Sequence, residues 1–139
     1  MAAGCSGTPE SIASTPSATL TIGAPASLEE QFIAVASKVS PSVVAIHTDV
    51  GVGSGVVFDQ RGDIVTNAHV DAGSKTHRVF LATGQSYAAT LVGSFAPDDL
   101  AVLHIAGTNL TAARFADSDR LRVGSIVMAI GSPLGRKAR

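Results

Sequence analysis

The chain has 139 residues, which leaves room for one domain of ordinary size and excludes a second large one. Apolar residues make up 45% of it but aromatic residues only 4%, so the core must be built from Val, Ile, Leu and Ala. Ten basic residues against eleven acidic ones give no net field to attract a nucleic acid, and nucleic-acid binding is disfavoured. A single cysteine, Cys5, excludes an intramolecular disulfide bond.

The first 26 residues are expected to form a disordered tether. From Ser6 to about Ala26 they are rich in Ser, Thr, Pro, Ala and Gly, with Glu10 as the one charge, and such a segment cannot bury enough apolar surface to offset its ordering entropy. Ahead of it, Cys5 follows small residues as at the end of a bacterial lipoprotein signal, which would make Cys5 a lipid anchor. The alternative is a free cysteine on the tail, because no charged and hydrophobic signal segment precedes Cys5.

A helix is predicted directly after the tether. Ser27 lies three residues before Glu30, the spacing of a capping box. Apolar residues then recur at helical intervals until Pro41, which predicts a helix of about three turns. These residues are Leu28, Phe32, Val35, Ala36 and Val39.

Beyond Pro41 the chain consists of short β-prone runs separated by Gly, Asp and Asn, a pattern typical of all-β barrels or sandwiches. The runs are Val43–Thr48, Gly53–Phe58, Asp63–Thr66, Arg78–Ala82, Tyr87–Val92, Leu100–Ile105 and Ser125–Ile130. Turns are expected at 60–62, 83–84 and 123–124. The predicted fold class is all-β, a single six- to seven-stranded antiparallel barrel preceded by a short helix.

Two segments carry residues suited to catalysis. A β-branched run leads directly into His69, and Asp98 and Asp99 precede the run that starts at Leu100. In a catalytic triad a carboxylate accepts a hydrogen bond from one ring nitrogen of a histidine, so that the other nitrogen can take a proton from the nucleophile. Judged by residue type alone, a structural histidine and a solvated Asp-Asp turn are the more common explanations of these segments.

Six segments resemble, in order and spacing, those of serine proteases of the HtrA type. They are Val39–Val44, Gly53–Val57, Ile64–Val70, Asp99–Leu103, Ala116–Gly124 and Ala129–Gly135. The third looks like the catalytic-histidine motif of that family and the fourth like its catalytic-aspartate motif. The resemblance implies the two-barrel trypsin-like fold, with the first barrel and its helix at residues 27–135 and the start of a missing second half at 136–139.

The resemblance also implies roles for individual residues. His69 would be the general base, and Asp99, which directly precedes Leu-Ala-Val-Leu, would be the carboxylate that orients it. Asp99 is expected to be buried and kept ionised by hydrogen bonds, including one from the imidazole. Family members usually carry two apolar residues after the histidine, whereas here Val70 is followed by Asp71, so the turn behind His69 is expected to be altered.

No nucleophile is recognisable in the sequence. The family carries its serine in a Gly-Asn-Ser-Gly-Gly type motif on the second barrel, and that motif does not occur here. Ser54 lies in a glycine-rich strand and Ser132 precedes a proline, so neither occupies a Gly-x-Ser-x-Gly elbow. His47, His77 and His104 lack further ligands at metal-binding spacing, and neither a metal nor a cofactor is expected.

The resemblance therefore implies a fragment of an extracytoplasmic serine endopeptidase, whose full-length family members act on unfolded or peptide substrates. The fragment alone is expected to be inactive. The alternative is a non-catalytic remnant or a binding module built on the first barrel. In either case the face that packs on a second barrel should be apolar and exposed, which predicts self-association.

Overall fold

The computed structural model describes residues 27–132. The predicted tether, the predicted lipid anchor at Cys5 and residues 136–139 lie outside this range. Helix α1, Leu28–Val39, begins at Ser27, whose side chain accepts a hydrogen bond from the Glu30 backbone while the Glu30 carboxylate binds the Ser27 backbone N–H. The capping box and the helix bounds are thus as predicted. No helix among the described residues is long and apolar enough to cross a membrane.

Six antiparallel strands form a closed barrel in the order β1-β2-β3-β6-β5-β4. Their bounds are Val43–Thr48 (β1), Val52–Val57 (β2), Asp63–Thr66 (β3), His77–Phe80 (β4), Ser86–Phe95 (β5) and Leu100–Ile105 (β6). One turn of helix, α2 at Ala68–Asp71, connects β3 to β4. The predicted all-β barrel with a preceding helix is confirmed, and β1, β3 and β6 have the predicted bounds.

Aliphatic side chains fill the barrel, as the low aromatic content requires. Along β6 the buried residues alternate with exposed or half-buried ones, and Leu103 faces inward with Ile46 of β1, Ile64 of β3 and Val79 of β4. This alternation buries one face of β6 and so fixes its register against β3 and β5. β5 is longer than predicted because it pairs with both β4 and β6 and contains a bulge between Leu91 and Gly93.

The seventh predicted strand, Ser125–Ile130, is wrong. The turn at 123–124 is present, with Gly124 at φ 93°, but the following residues are in no strand. A strand needs a partner edge, and a closed barrel has none, since β1 already pairs with both β2 and β4. Residues 121–127 leave several apolar side chains exposed, namely those of Leu121, Val123, Ile126 and Val127.

Candidate active site

His69 lies on the single turn α2, directly after β3. Asn67 precedes the turn in extended conformation, and the Ala68 N–H donates to the Asp99 carbonyl oxygen at 3.1 Å. Val70 packs against the barrel core and faces Gly53 so closely that a Cβ at Gly53 would lie 2.5 Å from a Val70 methyl. The close approach of β2 to the turn therefore requires glycine at position 53.

Asp99 is brought to His69 by an unusual backbone conformation. It follows a 3-10 turn, Ala96–Asp98, and has φ 51° and ψ 44°, in the left-handed region that Asp tolerates better than most residues. In this position one carboxylate oxygen accepts from the His69 backbone N–H at 2.9 Å and the other lies 2.7 Å from His69 Nδ1. The side chain of Asn67 donates to the same carboxylate at 3.1 Å.

These hydrogen bonds hold the Asp99 carboxylate in its ionised form. The His69 backbone N–H, followed by the His69 imidazole, lowers the pKa of Asp99 below its ordinary value of 3.8. A charged acceptor beside Nδ1 favours the tautomer that carries its proton there, which leaves Nε2 as a lone-pair acceptor. The structure thus brings together the two residues singled out in the sequence, with Asp99 rather than Asp98 as the partner.

The prediction that Asp99 is buried was wrong for the part of the chain described. Its side chain is 45% exposed and that of His69 is 70% exposed. Both lie at the end of the barrel where β3 leaves and β6 begins, and both side chains are partly open to solvent among residues 27–132. Hydrogen bonds and contact with solvent therefore keep the carboxylate charged. It does not need hydrogen bonds that offset a cost of burial.

His69 borders an open cleft of about 390 Å³ between the β1–β2 turn and α2. The cleft is lined by Val50, Gly51, Val52, Gly53, Ser54, Asn67, His69, Val70 and Ala72. Ser54 thus shares a cleft with His69, but its Oγ accepts a hydrogen bond from the Ser132 backbone N–H at 2.8 Å. Across residues 27–132 no serine side chain hydrogen-bonds to His69.

Two other histidines, His104 and His47, contact residues outside this site. His104 Nδ1 lies 2.8 Å from Asp63 Oδ1 and its side chain is 43% exposed, so it is a paired surface residue rather than a free one. The His47 ring packs against Phe80, and its Nε2 is buried with no hydrogen-bond partner. The described residues contain no group of three or more side chains that could hold a metal ion.

His77 forms a second, buried His–Asp pair that the sequence analysis did not identify. Its Nε2 lies 2.6 Å from Asp71 Oδ1 at the end of α2. Asn67 was missed as well, although it lies in the same motif as His69. The departure at Asp71 from the usual apolar residue was the one sequence signal for the pair.

Comparison with known proteins identifies the family. Residues 53–139 match the trypsin-like peptidase domain, a match that covers more than half of the chain. The chain therefore belongs to the trypsin-like peptidases. It is 45% identical over 93 residues to the serine protease Do-like HtrA of Bacillus subtilis, covering 64% of this chain and 21% of that protein.

Two further relatives assign it to the HtrA type. The periplasmic serine endoprotease DegP of Escherichia coli is 44% identical over 85 residues, covering 60% of this chain and 18% of DegP. The solved structure of the HtrA-type protease AlgW with a tripeptide superimposes with a TM-score of 0.65 at 36% identity, covering 67% of this chain and 32% of AlgW. The chain thus spans about a fifth of the length of these two curated relatives.

Proposed function

We propose that this barrel supplies the general base and its orienting carboxylate to an HtrA-type serine endopeptidase. His69 accepts the proton of the nucleophile at Nε2, and Asp99 holds the imidazole through Nδ1. The observation that carries the proposal is the two-point contact of Asp99, which binds both the backbone N–H and the ring of His69 at 2.9 and 2.7 Å. A carboxylate bound in this way fixes the tautomer as well as the orientation of the ring.

The nucleophile in this proposal comes from outside the described residues. Ser54 Oγ accepts a hydrogen bond from the Ser132 backbone N–H, and among the described residues neither serine hydrogen-bonds to His69. In triad enzymes that lose triad members, a residual ~10³–10⁴-fold acceleration survives because the oxyanion hole and the substrate contacts remain. In this proposal the oxyanion hole and the substrate contacts, like the serine, come from a second barrel. The 139-residue chain alone is therefore proposed to lack peptidase activity.

The substrates proposed are unfolded proteins or peptides, reached outside the cytoplasm. Support comes from the relatives, since DegP is named a periplasmic endoprotease and AlgW was solved with a tripeptide. The cleft beside His69 is open to solvent and lined by the glycine-rich strand β2, which suits an extended chain better than a small molecule. Lipid anchoring at Cys5 and self-association through the exposed face that would pack on a second barrel stay predictions.

A chimera tests the catalytic assignment. Residues 28–132 of this chain would replace the corresponding segment of E. coli DegP, which supplies a second barrel with its own serine. Cleavage of a fluorescently labelled unfolded protein is expected in the chimera. Asp99→Asn should lower kcat by ~10⁴-fold, because the amide holds His69 in the wrong tautomer. That loss corresponds to a rise of about 5 kcal/mol in the activation free energy.

A matched control is Asp63→Asn, which alters the other half-exposed His–Asp pair at the far end of β3. It should leave kcat within a few-fold of the parent chimera. Full activity of the Asp99→Asn chimera would refute the assignment of Asp99, and full activity of His69→Ala would refute that of His69. Turnover by the unaltered 139-residue chain would refute the dependence on a second barrel and favour a self-contained site.

A further inference from the structure

The turn that carries His69 is too short to hold its own conformation. α2 has four residues, and a single helical turn in water does not offset the entropy of fixing its backbone. Its geometry must therefore come from contacts with the rest of the barrel. At the start of the turn these contacts are the hydrogen bonds from Ala68 and His69 to Asp99, and in the middle the packing of Val70 against Gly53.

At the end of the turn the contact is the pair formed by Asp71 and His77. The Asp71 side chain is 10% exposed and the His77 side chain 6% exposed, and Asp71 Oδ1 lies 2.6 Å from His77 Nε2. His77 is the first residue of β4, which pairs with β1 and β5 in the barrel. Asp71 is thus tied to a strand whose position is fixed independently of α2.

Asp71 and His69 lie on opposite sides of the turn. Successive residues of a helix point about 100° apart, so side chains two positions apart lie on roughly opposite sides. Asp71 is held inward against β4, and His69, two residues earlier, consequently points outward to Asp99 and the cleft. Ala72, which ends the turn, has φ 41°, so the chain reverses directly after Asp71. No helical residue beyond Asp71 therefore helps to orient the turn.

The loop that follows α2 is also held by hydrogen bonds. The Asp71–His77 pair therefore lies between two restrained segments, the start of α2 and this loop. The Ser74 N–H donates to the Asp71 carbonyl oxygen at 2.7 Å. The Asp49 carboxylate, in the β1–β2 turn, accepts from the Ser74 hydroxyl and from the Lys75 backbone N–H. The loop therefore has little freedom to absorb a displacement of Asp71, and such a displacement passes back along α2 to His69.

We propose that the buried Asp71–His77 pair is a positioning element that sets the orientation of His69 against Asp99. The catalytic part of this proposal rests on the proposed function. The geometry that it concerns is present in the 139-residue chain without a second barrel. Removal of one partner leaves the other buried and unpaired, and we expect the turn to move so that this polar group reaches water. Exchange of both partners for aliphatic side chains of similar total size restores a stable contact, since no unpaired polar group remains.

A double-mutant cycle read out at His69 tests the proposal on the full 139-residue chain. The variants are Asp71→Val, His77→Val and the double variant. Long-range ¹H–¹⁵N NMR of the histidine rings gives the tautomer of His69 and the hydrogen-bonded Nδ1 proton. Each single variant is expected to lose that proton signal and to show mixed tautomers, whereas the double variant should recover both features.

A matched control separates positioning from general loss of stability. Asp63→Val breaks the half-exposed pair with His104, which is far from α2, and should leave the His69 signals unchanged. If a single variant does not fold by circular dichroism, Asp71→Asn replaces it, because the amide keeps the size and one acceptor while removing the charge.

The outcomes are distinct. Folded single variants with an unaltered His69 signal overturn the proposal, and so does a double variant no better than the sum of the single ones. A His69 signal that Asp63→Val shifts to the same extent would attribute the effect to loss of stability and also overturn it. Absence of the Nδ1 signal in the unaltered chain would instead contradict the His69–Asp99 pair itself, and with it the proposed function.

Discussion

The contact between Gly53 and Val70 offers a direct test of how the barrel holds the His69 turn. A Cβ built on Gly53 would lie 2.5 and 2.6 Å from the two γ-carbons of Val70 and 3.1 Å from its Cβ. Real Cβ atoms do not approach this closely, so Gly53→Ala must push Val70, and α2 with it, away from β2. Overpacking of this kind costs typically about 1–3 kcal/mol.

Thermal or urea unfolding of the 139-residue chain measures that cost. For a domain of this size each kcal/mol lowers Tm by roughly 4–8 °C, so a decrease of about 5–20 °C is expected for Gly53→Ala. Gly51→Ala is the matched control, because Gly51 lies in the same segment with nothing within 4 Å of its added Cβ. This control should stay within about 0.5 kcal/mol of the parent.

A second substitution checks the cause. Val70→Ala removes the two γ-carbons that the new methyl group would meet, so the double variant Gly53→Ala/Val70→Ala should be more stable than the sum of the two single losses. A coupling of about 0.5–3 kcal/mol is expected for residues in direct contact. Strict additivity, or a Gly53→Ala chain as stable as Gly51→Ala, would refute the reasoning.

Two further predictions concern the ends of the barrel. Gly62 has φ 113°, and a Cβ there would lie 2.0 Å from the Ile105 carbonyl oxygen. Gly62→Ala should therefore lower the free energy of unfolding in urea by about 3 kcal/mol or more. An unchanged urea midpoint would contradict this. Because the pKa of Asp99 is lowered from 3.8, its stabilisation is complete above that value and is lost as the pH falls through the lower folded value. The difference in the free energy of unfolding between the parent and Asp99→Asn should therefore narrow below about pH 4. A difference that stays constant with pH would contradict the assignment of this stabilisation to the ionised Asp99 carboxylate.

Local signals in the sequence were sufficient for much of the fold. Ser27 and Glu30 predicted the start of α1 because a capping box is satisfied within four residues. β1, β3 and β6 were predicted with their observed bounds, since each is a run of β-prone residues that ends at polar or turn residues. The positions of His69 and Asp99 came from motifs that resemble a known family, and the structure places the two side chains in contact.

Only the tertiary structure decided the features that depend on distant partners. Ser125–Ile130 has the composition of a strand but finds no free edge, because the barrel closes between β1 and β4. The pairing of Asp71 with His77 depends on how β4 packs beside α2, which residue spacing does not reveal.

The environment of the candidate site was likewise decided in three dimensions. The family resemblance predicted a buried Asp99, whereas the Asp99 carboxylate is nearly half exposed and is held by the backbone and ring of His69. Burial is set by the elements that pack over a residue, and hydrogen bonding by the backbone path that brings groups together. The resemblance of the sequence to a known family thus pointed to the residues proposed as base and orienting carboxylate, and the fold determined their contact, their exposure and the second His–Asp pair behind them.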